Sequence, residues 1–381
     1  MKKIAMICEA DSAWIRKYIE NVLLGRYEIY LLTHSNQMNA DFYRANNIRV
    51  YADDDCNTFQ GIRGLSVLAK LHDLCKNLSE PMDIIQVHLI DIYKTMLFRK
   101  ILRKNKQART ILTYWGSDLN RRDQKELSYA EKIFDKIDAF TFMTKGLKEK
   151  FEERYGKDYG KGIVVDFGVS AYDAIDREKG EAQELKRYWG FPSDKIIVMI
   201  GYNGIREQNH VPVIESLEKI SQEMKEKCHI VLQFSYGVRD PEYAQKVQEA
   251  VEESGFTHSI IWDFLDDRKI AKLRLATDIM IHAQTTDALS ASILEILYSG
   301  GMLINGEWLE YRELDDSNID YIRFRDYEDL RDKFMDAVQH FDEWKSSKIN
   351  NRKKLYDMGS WQAVKRKWID ILENGDGVSY E

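Results

Sequence analysis

The feature that most constrains the fold is an alternation of short apolar runs with helical segments, which occurs twice along the chain. In the first half the strand-like runs are KIAMICEA, YEIYLLTH, NIRVYA, MDIIQVHL, ARTILTYW and DAFTFMT. They are rich in β-branched and aromatic residues, as buried strands are. Helical segments such as SAWIRKYIENVLL separate them. This order predicts an α/β fold with a parallel sheet and right-handed crossovers.

The alternation pauses over residues 160–184 and then resumes. KIIVMIGY, HIVLQFS, SIIWDF, DIMIHA and GMLING form the second set of strand-like runs. We therefore predict two Rossmann-like domains, 1–170 and 171–359, rather than one long sheet. The last segment, at about 360–374, places Trp361, Val364, Trp368 and Ile371 on one helical face, which can pack on either domain, including back onto the first.

Composition narrows the classes of protein to which the chain can belong. Its 381 residues are enough for two cores, and 44% hydrophobic with 31% charged residues is typical of a globular protein. The apolar run at the N-terminus is broken at Glu9 and Asp11, which argues against a signal peptide. Four scattered cysteines, without a CxxC pair, indicate a reducing compartment and no zinc site. We expect a cytoplasmic protein.

The stretch DALSASILEILYSGG, residues 287–301, contains one acid, Glu295, inside an apolar run. Burying an unpaired carboxylate is costly, so this side chain needs a partner. Ser290 and Ser292 lie near the start of the predicted helix, where backbone N–H groups and the helix dipole favour phosphate. Glu295, about one turn later, could accept both hydroxyls of a ribose. The alternative is that the serines cap the helix and Glu295 belongs to a capping arrangement.

The spacing from Asp287 to Glu295, followed by Gly300 and Gly301, resembles the signature of acid, seven residues, acid found in retaining glycosyltransferases of family four. These enzymes have the GT-B fold, in which two Rossmann-like domains face each other across a cleft. The resemblance implies that Glu295 binds the donor ribose and that Asp287 is catalytic, next to the donor sugar. The chain differs from the pattern in having aspartate as its first acid, and Ala288, Leu289 and Ser290 replace the usual intervening residues.

The turn IGYNGIREQNHVPVIESL, residues 200–217, follows a predicted strand and leads into a helix, as phosphate-binding turns do. Family four has an arginine and a lysine here, whereas this chain has Tyr202 and Asn209. The turn is more similar to that of the 4-acetamidofucosyltransferases of enterobacterial common antigen, which invert configuration. That likeness implies phosphate contacts from Asn203, Gly204 and Arg206. The alternative is a surface turn with a solvated Arg206.

The loop TYWGSDLNRR resembles an aspartate-containing loop that lines the cleft of many GT-B enzymes. The resemblance makes Asp118 a candidate catalytic base or acceptor-orienting carboxylate, with Trp115 and Gly116 beside the acceptor. His88 ends a strand where such enzymes often have a cleft histidine. The alternative is a turn in which Gly116 supplies a positive φ and Asp118 caps a helix, with His88 as a structural hydrogen-bonder.

The segment from Lys94 to Arg109 carries seven basic residues and no acid, with apolar residues between them. A basic amphipathic helix can lie on an anionic membrane surface. The alternative is a helix that covers the sheet and has a basic outer face. With a net charge of −7 and few aromatic residues in this segment, nucleic-acid binding has little support.

The sequence therefore predicts a metal-independent glycosyltransferase of hexosyltransferase type, without a cofactor. It would move a sugar from a nucleotide-sugar donor to a hydroxyl of a glycan or lipid-linked acceptor, peripheral to the membrane. Three alternatives remain open: a metal-dependent GT-A transferase using the run Asp53 to Asp55, a nucleotide-sugar 2-epimerase, and a catalytically inactive GT-B module acting as a partner subunit.

Overall fold

A computed structural model of the chain describes residues 1–34, 38–52, 70, 73–76, 78, 80–155, 162–178, 180–347 and 351–373. The chain divides into two compact units. The first consists of residues 1–168 with 361–381, and the second of residues 169–360. The run Asp53 to Asp55 lies outside the described residues.

The first unit contains a sheet with seven strands among its described residues. The strands are β1 (Lys2–Ile7), β2 (Tyr27–Thr33), β3 (Arg49–Ala52), β4 (Ile84–His88), β5 (Arg109–Tyr114), β6 (Ala139–Phe142) and β7 (Gly162–Val164). Their order is β3-β2-β1-β4-β5-β6-β7, and each pairing is parallel. Strands β1 to β6 confirm the predicted runs. The three-residue strand β7 was not predicted, because it is too short to show a periodic pattern.

Helices cover both faces of this sheet. They are α1 (Ala13–Tyr18), α2 (Ala40–Ala45), α3 (Ile92–Leu102), α4 (Ser117–Asn120), α5 (Gln124–Glu131) and α6 (Lys145–Tyr155). Along β1, Ile4 and Met6 enter one apolar cluster whereas Ala5 and Ile7 enter another. Successive side chains of a strand point to opposite faces, so the sheet is buried on both sides.

The second unit repeats this design with six strands in its described part. The strands are β8 (Ile196–Ile200), β9 (Cys228–Gln233), β10 (Thr257–Ile261), β11 (Ile279–His282), β12 (Met302–Gly306) and β13 (Ile322–Phe324). Their order is β10-β9-β8-β11-β12-β13, again with parallel pairings. The predicted runs correspond to β8 to β12, and the short β13 was not predicted.

The described part of the second unit contains eleven α-helices. They are α7 (Ala171–Arg177), α8 (Ala182–Tyr188), α9 (His210–Glu218), α10 (Gln222–Glu226), α11 (Pro241–Glu253), α12 (Asp267–Ala276), α13 (Ala291–Tyr298), α14 (Arg312–Asp316), α15 (Tyr327–Gln339), α16 (Phe341–Ser347) and α17 (Asn351–Gly359). The side chains of Asp240, Asp266 and Asp326 accept backbone N–H groups at the starts of α11, α12 and α15. Such caps satisfy donors that have no partner within the helix.

The last helix, α18 (Trp361–Glu373), belongs to the first unit. Val364, Trp368 and Ile371 are buried in the same apolar cluster as Tyr18 and Phe167. The Trp368 indole N–H donates to the carbonyl of Asp166 at 2.9 Å. The apolar stripe read from the sequence is therefore the face by which this helix closes the first core.

The basic segment is mainly a sheet-covering helix. Leu97, Phe98 and Ile101 of α3 are buried in the core of the first unit. Lys94 is 3% exposed, lies 2.6 Å from the Glu9 carboxylate, and cannot contact a lipid surface. Arg109 donates to the carbonyl of Ile371 at 2.9 Å. In the described part of the chain no helix has the length and hydropathy needed to cross a membrane.

We expect Trp368→Ala to destabilise the first unit by about 3–5 kcal/mol, because it empties a fully buried site and removes ring contacts with Tyr18 and Phe167. Chemical-denaturant unfolding measures this change. Trp14→Ala is the matched control, since Trp14 stacks on Phe167 but is 37% exposed, and it should cost less than half as much. Equal losses for the two variants would contradict the assignment of α18 to this core.

Candidate functional site

The strand order of the second sheet reverses between β8 and β11, and ligands of doubly wound folds bind at such a reversal, outside the carboxyl ends of the strands. The loops that follow these two strands are joined there. The Asn209 amide donates to the carbonyl of Ala283 at 2.7 Å, and the backbone N–H of Thr285 donates to Glu207 at 2.9 Å. The two loops that carry or lead to the predicted donor-binding residues therefore lie together at one edge of the sheet.

The loop after β8 holds its own predicted residues closely. The side-chain oxygen of Asn203 accepts the backbone N–H of Ile205 at 3.1 Å, and the Gly204 N–H donates to the carbonyl of Tyr236 at 2.9 Å. A Cβ on Gly204 would lie 2.4 Å from Val238 Cγ2, so only glycine fits this close approach. The backbone N–H of Gly204 is therefore paired within the fold. The close approach of Val238 is a structural reason for a glycine at this position.

Arg206 lies at the surface of the same loop. Its guanidinium forms an ion pair with Asp240 and lies 5.0 Å from the centre of the Tyr243 ring. Hydrogen bonding to Asp240 raises the pKa of Arg206, and the same bond lowers the pKa of Asp240. With 61% of its side chain exposed, Arg206 is the solvated surface residue of the alternative interpretation, and its contact with phosphate stays a prediction.

Asp287 is fixed mainly by two donors. Its carboxylate accepts the Tyr311 hydroxyl at 2.8 Å and the backbone N–H of Ser290 at 2.8 Å. The Tyr202 hydroxyl lies 3.3 Å away and shares its one proton with Gln284, which is closer at 2.8 Å. Burial raises the pKa of both tyrosines well above the ordinary range, and the Asp287 charge adds to this shift. These tyrosines therefore stay protonated and donate. Asp287 organises the start of α13, and its role in catalysis stays a prediction.

Glu295 has a cationic partner that the sequence did not indicate. Its Oε2 accepts the Nε–H of Arg274 at 2.9 Å, and the Arg274 side chain is only 1% exposed. Another N–H of this guanidinium donates to the Ser292 hydroxyl at 3.1 Å. Ser290 is the N-cap residue of α13, but its side chain makes no capping bond. Ser292 and Glu295 thus share one buried guanidinium at the start of a helix.

Four predicted residues of the first unit also lie together. The indole N–H of Trp115 donates to His88 Nδ1 at 3.3 Å. The carboxylate of Asp118 accepts the backbone N–H of Trp115 at 3.0 Å and that of Gly116 at 2.9 Å. Gly116 has a φ of 118°, the positive value that the turn interpretation required. The loop therefore has the geometry of the structural alternative, a turn with a positive φ at Gly116 and a carboxylate that accepts backbone N–H groups. A catalytic role for Asp118 remains a prediction.

Burial controls the protonation of this cluster. It lowers the pKa of His88 to about 3 and raises the pKa of Asp118 to about 6, although the backbone bonds to Asp118 partly offset the rise. His88 is therefore neutral near pH 7. His88 Nε2 and Asp118 Oδ2 are buried and have no hydrogen-bond partner among the described residues. A carboxyl with a pKa near 6 can exchange a proton near neutral pH.

Several residues of these clusters were missed by sequence reasoning. Arg274 is separated from Glu295 by 21 positions and belongs to no motif, though it interrupts the buried face formed by Leu273 and Ala276. Gln284 was also missed; its side-chain oxygen accepts from the Tyr202 hydroxyl at 2.8 Å. Among the described residues, no group of three histidine, cysteine or acidic side chains is placed to hold a metal ion.

Comparisons with known proteins show a likeness to glycosyltransferases. Residues 3–144 match the family model described as glycosyl transferase 4-like. A glycosyltransferase from Rickettsia africae is similar in structure, with 16% identity and a TM-score of 0.76, over 98% of this chain and 99% of that one. HepE of Anabaena, solved with UDP and glucose, has 13% identity and a TM-score of 0.76 over the same shares.

A third neighbour is WaaG, a glycosyltransferase involved in lipopolysaccharide biosynthesis, with 12% identity and a TM-score of 0.66 over 97% of this chain and 100% of that one. No curated protein sequence matches the chain. The two parallel sheets and these neighbours confirm the predicted GT-B fold, so the GT-A alternative was wrong about architecture. None of the comparisons points to a 4-acetamidofucosyltransferase in particular.

We expect Asp118→Asn to change how stability depends on pH. The folded-state pKa of about 6 lies above the ordinary 3.8, so the native carboxyl binds its proton more tightly than the unfolded one. The wild type therefore loses stability as pH rises through this window. Asparagine keeps an acceptor oxygen and has no charge to bury, so the variant should gain up to about 3 kcal/mol relative to wild type between about pH 4 and pH 7.

Unfolding free energies measured across this pH range test the expectation. The matched control is Asp123→Asn, because Asp123 is exposed and also accepts a backbone N–H, from Glu126 at 2.8 Å. Because its carboxyl is not buried, this variant should lack the gain between about pH 4 and pH 7 that burial produces for Asp118→Asn. Absence of this gain in Asp118→Asn as well would show that burial does not perturb this carboxyl.

Proposed function

We propose that the chain transfers a sugar from a nucleoside-diphosphate sugar to a hydroxyl of a glycan or lipid-linked acceptor. The observation that carries the proposal is the arrangement of Ser292 and Glu295 around a buried guanidinium at the start of α13. A helix N-terminus favours an anion, and a carboxylate one turn later can accept ribose hydroxyls. Because the structures of HepE contain UDP, UDP–glucose, or UDP and glucose, UDP-sugars are the first donors to test.

In this scheme the second unit stabilises the leaving diphosphate. The dipole of α13 and the hydroxyls of Ser290 and Ser292 would interact with its oxygens, with further contacts from the exposed Arg206 and the buried Asn203. Asp118 in the first unit would receive the proton of the acceptor hydroxyl, for which a pKa near 6 is suitable. Asp287 would orient the start of α13 next to the donor sugar.

We propose that the transfer is metal-independent, so product formation should be unchanged in excess chelator.

One alternative is supported by a specific observation. The positions at which family four has an arginine and a lysine are taken by neutral side chains, and both are engaged in the fold. Tyr202 donates to Gln284 at 2.8 Å, and Asn209 donates to the carbonyl of Ala283. A chain with so little positive charge at this edge could instead be a catalytically inactive partner module, which would bind nucleoside diphosphates weakly.

Thermal unfolding with UDP, GDP, dTDP, CDP and ADP separates the two accounts. A ligand at 100 times its dissociation constant stabilises the native state by about 2.7 kcal/mol, so one of the five should raise the midpoint clearly. Glu295→Ala should abolish this rise. Glu328→Ala is the control, since Glu328 is an exposed acid in the first turn of α15 and should leave the shift unchanged. If none of the five raises the wild-type midpoint at millimolar concentration, the inactive module becomes the better account.

We also propose that the exposed basic residues after the buried part of α3 contact an anionic membrane surface. Arg99, Arg103 and Lys106 are exposed, and each cation near such a surface contributes roughly 1 kcal/mol. Replacing all three by glutamine should weaken binding to phosphatidylglycerol vesicles at least tenfold in a cosedimentation assay. The same replacement of the exposed Arg177, Lys219 and Lys246 in the second unit should have little effect. Equal binding by both variants would contradict the proposal.

A further inference from the structure

Arg274 is an unusual residue for the place it occupies. It lies near the end of α12, 1% exposed, where a charged side chain is stable only if its hydrogen-bonding groups are satisfied. No motif in the sequence includes it, and the proposed reaction assigns it no contact with substrate. The hydrogen-bond partners of its guanidinium must therefore explain why this side chain is stable when buried.

Those partners come from three elements around the start of α13. The Nη1 group donates to Gln233 Oε1 at the end of β9, at 2.9 Å, and lies 3.2 Å from Met199 Sδ in β8. The Nε and Nη2 groups donate to Glu295 Oε2 and to Ser292 Oγ. A guanidinium is planar and its donors point in fixed directions, so these bonds fix the orientation of both α13 side chains relative to the sheet.

The pairing leaves Glu295 able to act as an acceptor. Only Oε2 is bonded to Arg274, and within the described part of the chain Oε1 makes no hydrogen bond, while the side chain is 12% exposed. A carboxylate held at one oxygen by a fixed guanidinium cannot turn inward, so its second oxygen keeps its lone pairs for another donor. One oxygen of Glu295 is therefore presented at the carboxyl edge of the sheet before any ligand arrives.

We propose that Arg274 is a positioning residue of the donor site: it holds the Glu295 carboxylate for the ribose hydroxyls and the Ser292 hydroxyl for the phosphates of a nucleoside diphosphate. The inference rests on the proposed function. It differs from a purely structural role in one measurable respect. A structural arginine changes stability only, whereas a positioning arginine also determines whether the site distinguishes a ribose from a 2′-deoxyribose.

The experiment compares the affinities of UDP and 2′-deoxy-UDP by calorimetry for the full chain and for Arg274→Lys. Lysine keeps the charge but cannot donate in three directions from one plane. We expect the wild type to prefer UDP at least tenfold, and this preference to fall towards one in Arg274→Lys and in Glu295→Gln. If GDP, CDP or ADP is the tighter ligand, the same comparison is made with that diphosphate and its 2′-deoxy form.

A matched control is available on the same helix. Lys272 of α12 lies 3.0 Å from the carboxylate of Glu178 and is also largely buried, but it contacts neither Ser292 nor Glu295. Lys272→Gln should keep the ribose preference of the wild type, whatever its effect on the unfolding temperature. A preference that Arg274→Lys retains to within twofold would overturn the positioning role while leaving the proposed function intact. Absence of diphosphate binding by the wild type would overturn both.

A second pair of variants covers the case in which Arg274→Lys does not fold. In Arg274→Gln/Glu295→Gln neither charge is left buried without its partner, so this variant is expected to fold. If Arg274 acts through Glu295, adding Arg274→Gln to Glu295→Gln should not lower the ribose preference further. A UDP to 2′-deoxy-UDP affinity ratio that differs more than threefold from that of Glu295→Gln, in either direction, would show that Arg274 acts on the ligand by another route and would contradict the proposal.

Discussion

The ion pair between Arg274 and Glu295 is the constraint on which the organisation of the second unit's carboxyl edge depends. A carboxylate in the apolar run SILEILYS requires a partner, and the structure supplies it from α12 at 2.9 Å. Removing one member of such a pair typically costs about 3–5 kcal/mol, because the other charge stays buried. The pair therefore fixes α13 against α12 and, through Gln233, against the end of β9. Within this unit the same contacts that stabilise the helix start also shape the proposed donor site.

The first unit also contains a buried carboxylate, but no arginine stabilises it. Asp118 is buried beneath its own loop and is satisfied by backbone N–H groups of Trp115 and Gly116, which leaves its second oxygen unpaired in the described part of the chain. Backbone donors stabilise the charge less than burial destabilises it, so the pKa rises to about 6. The two acidic residues thus differ in kind: Glu295 is held by a cation, and Asp118 is left close to its titration point. The first property suits binding and the second suits proton transfer.

The fold could be predicted from the sequence, whereas much of the site could not. Strands β1–β6 and β8–β12 each carry enough apolar and β-branched residues to be recognised, but β7 and β13 are held only by pairing with a neighbouring strand. Residues adjacent in sequence, such as those in the Asp118 loop, were grouped correctly. Contacts between residues far apart in the sequence were not, because neither the partner of Glu295 nor the burial of Lys94 beside Glu9 leaves a local pattern. The basic segment from Lys94 to Arg109 was predicted to form one basic helix face, but Lys94 is buried whereas Arg99 and Arg103 are exposed.

The substitution of neutral residues for the expected cations has a physical consequence for how this edge could bind a diphosphate. Tyr202 and Asn209 are used by the fold, Arg274 is neutralised by Glu295, and Arg206 by Asp240. Attraction for a diphosphate would then come mainly from the backbone dipole and hydroxyls at the start of α13, which are fixed in place and remain uncharged at every pH. The affinity of such a site for a diphosphate would depend on how exactly its donors are placed rather than on its net charge. Its affinity would therefore be sensitive to the contacts that orient α13, and only weakly sensitive to salt, because screening acts most strongly on exposed charges such as Arg206.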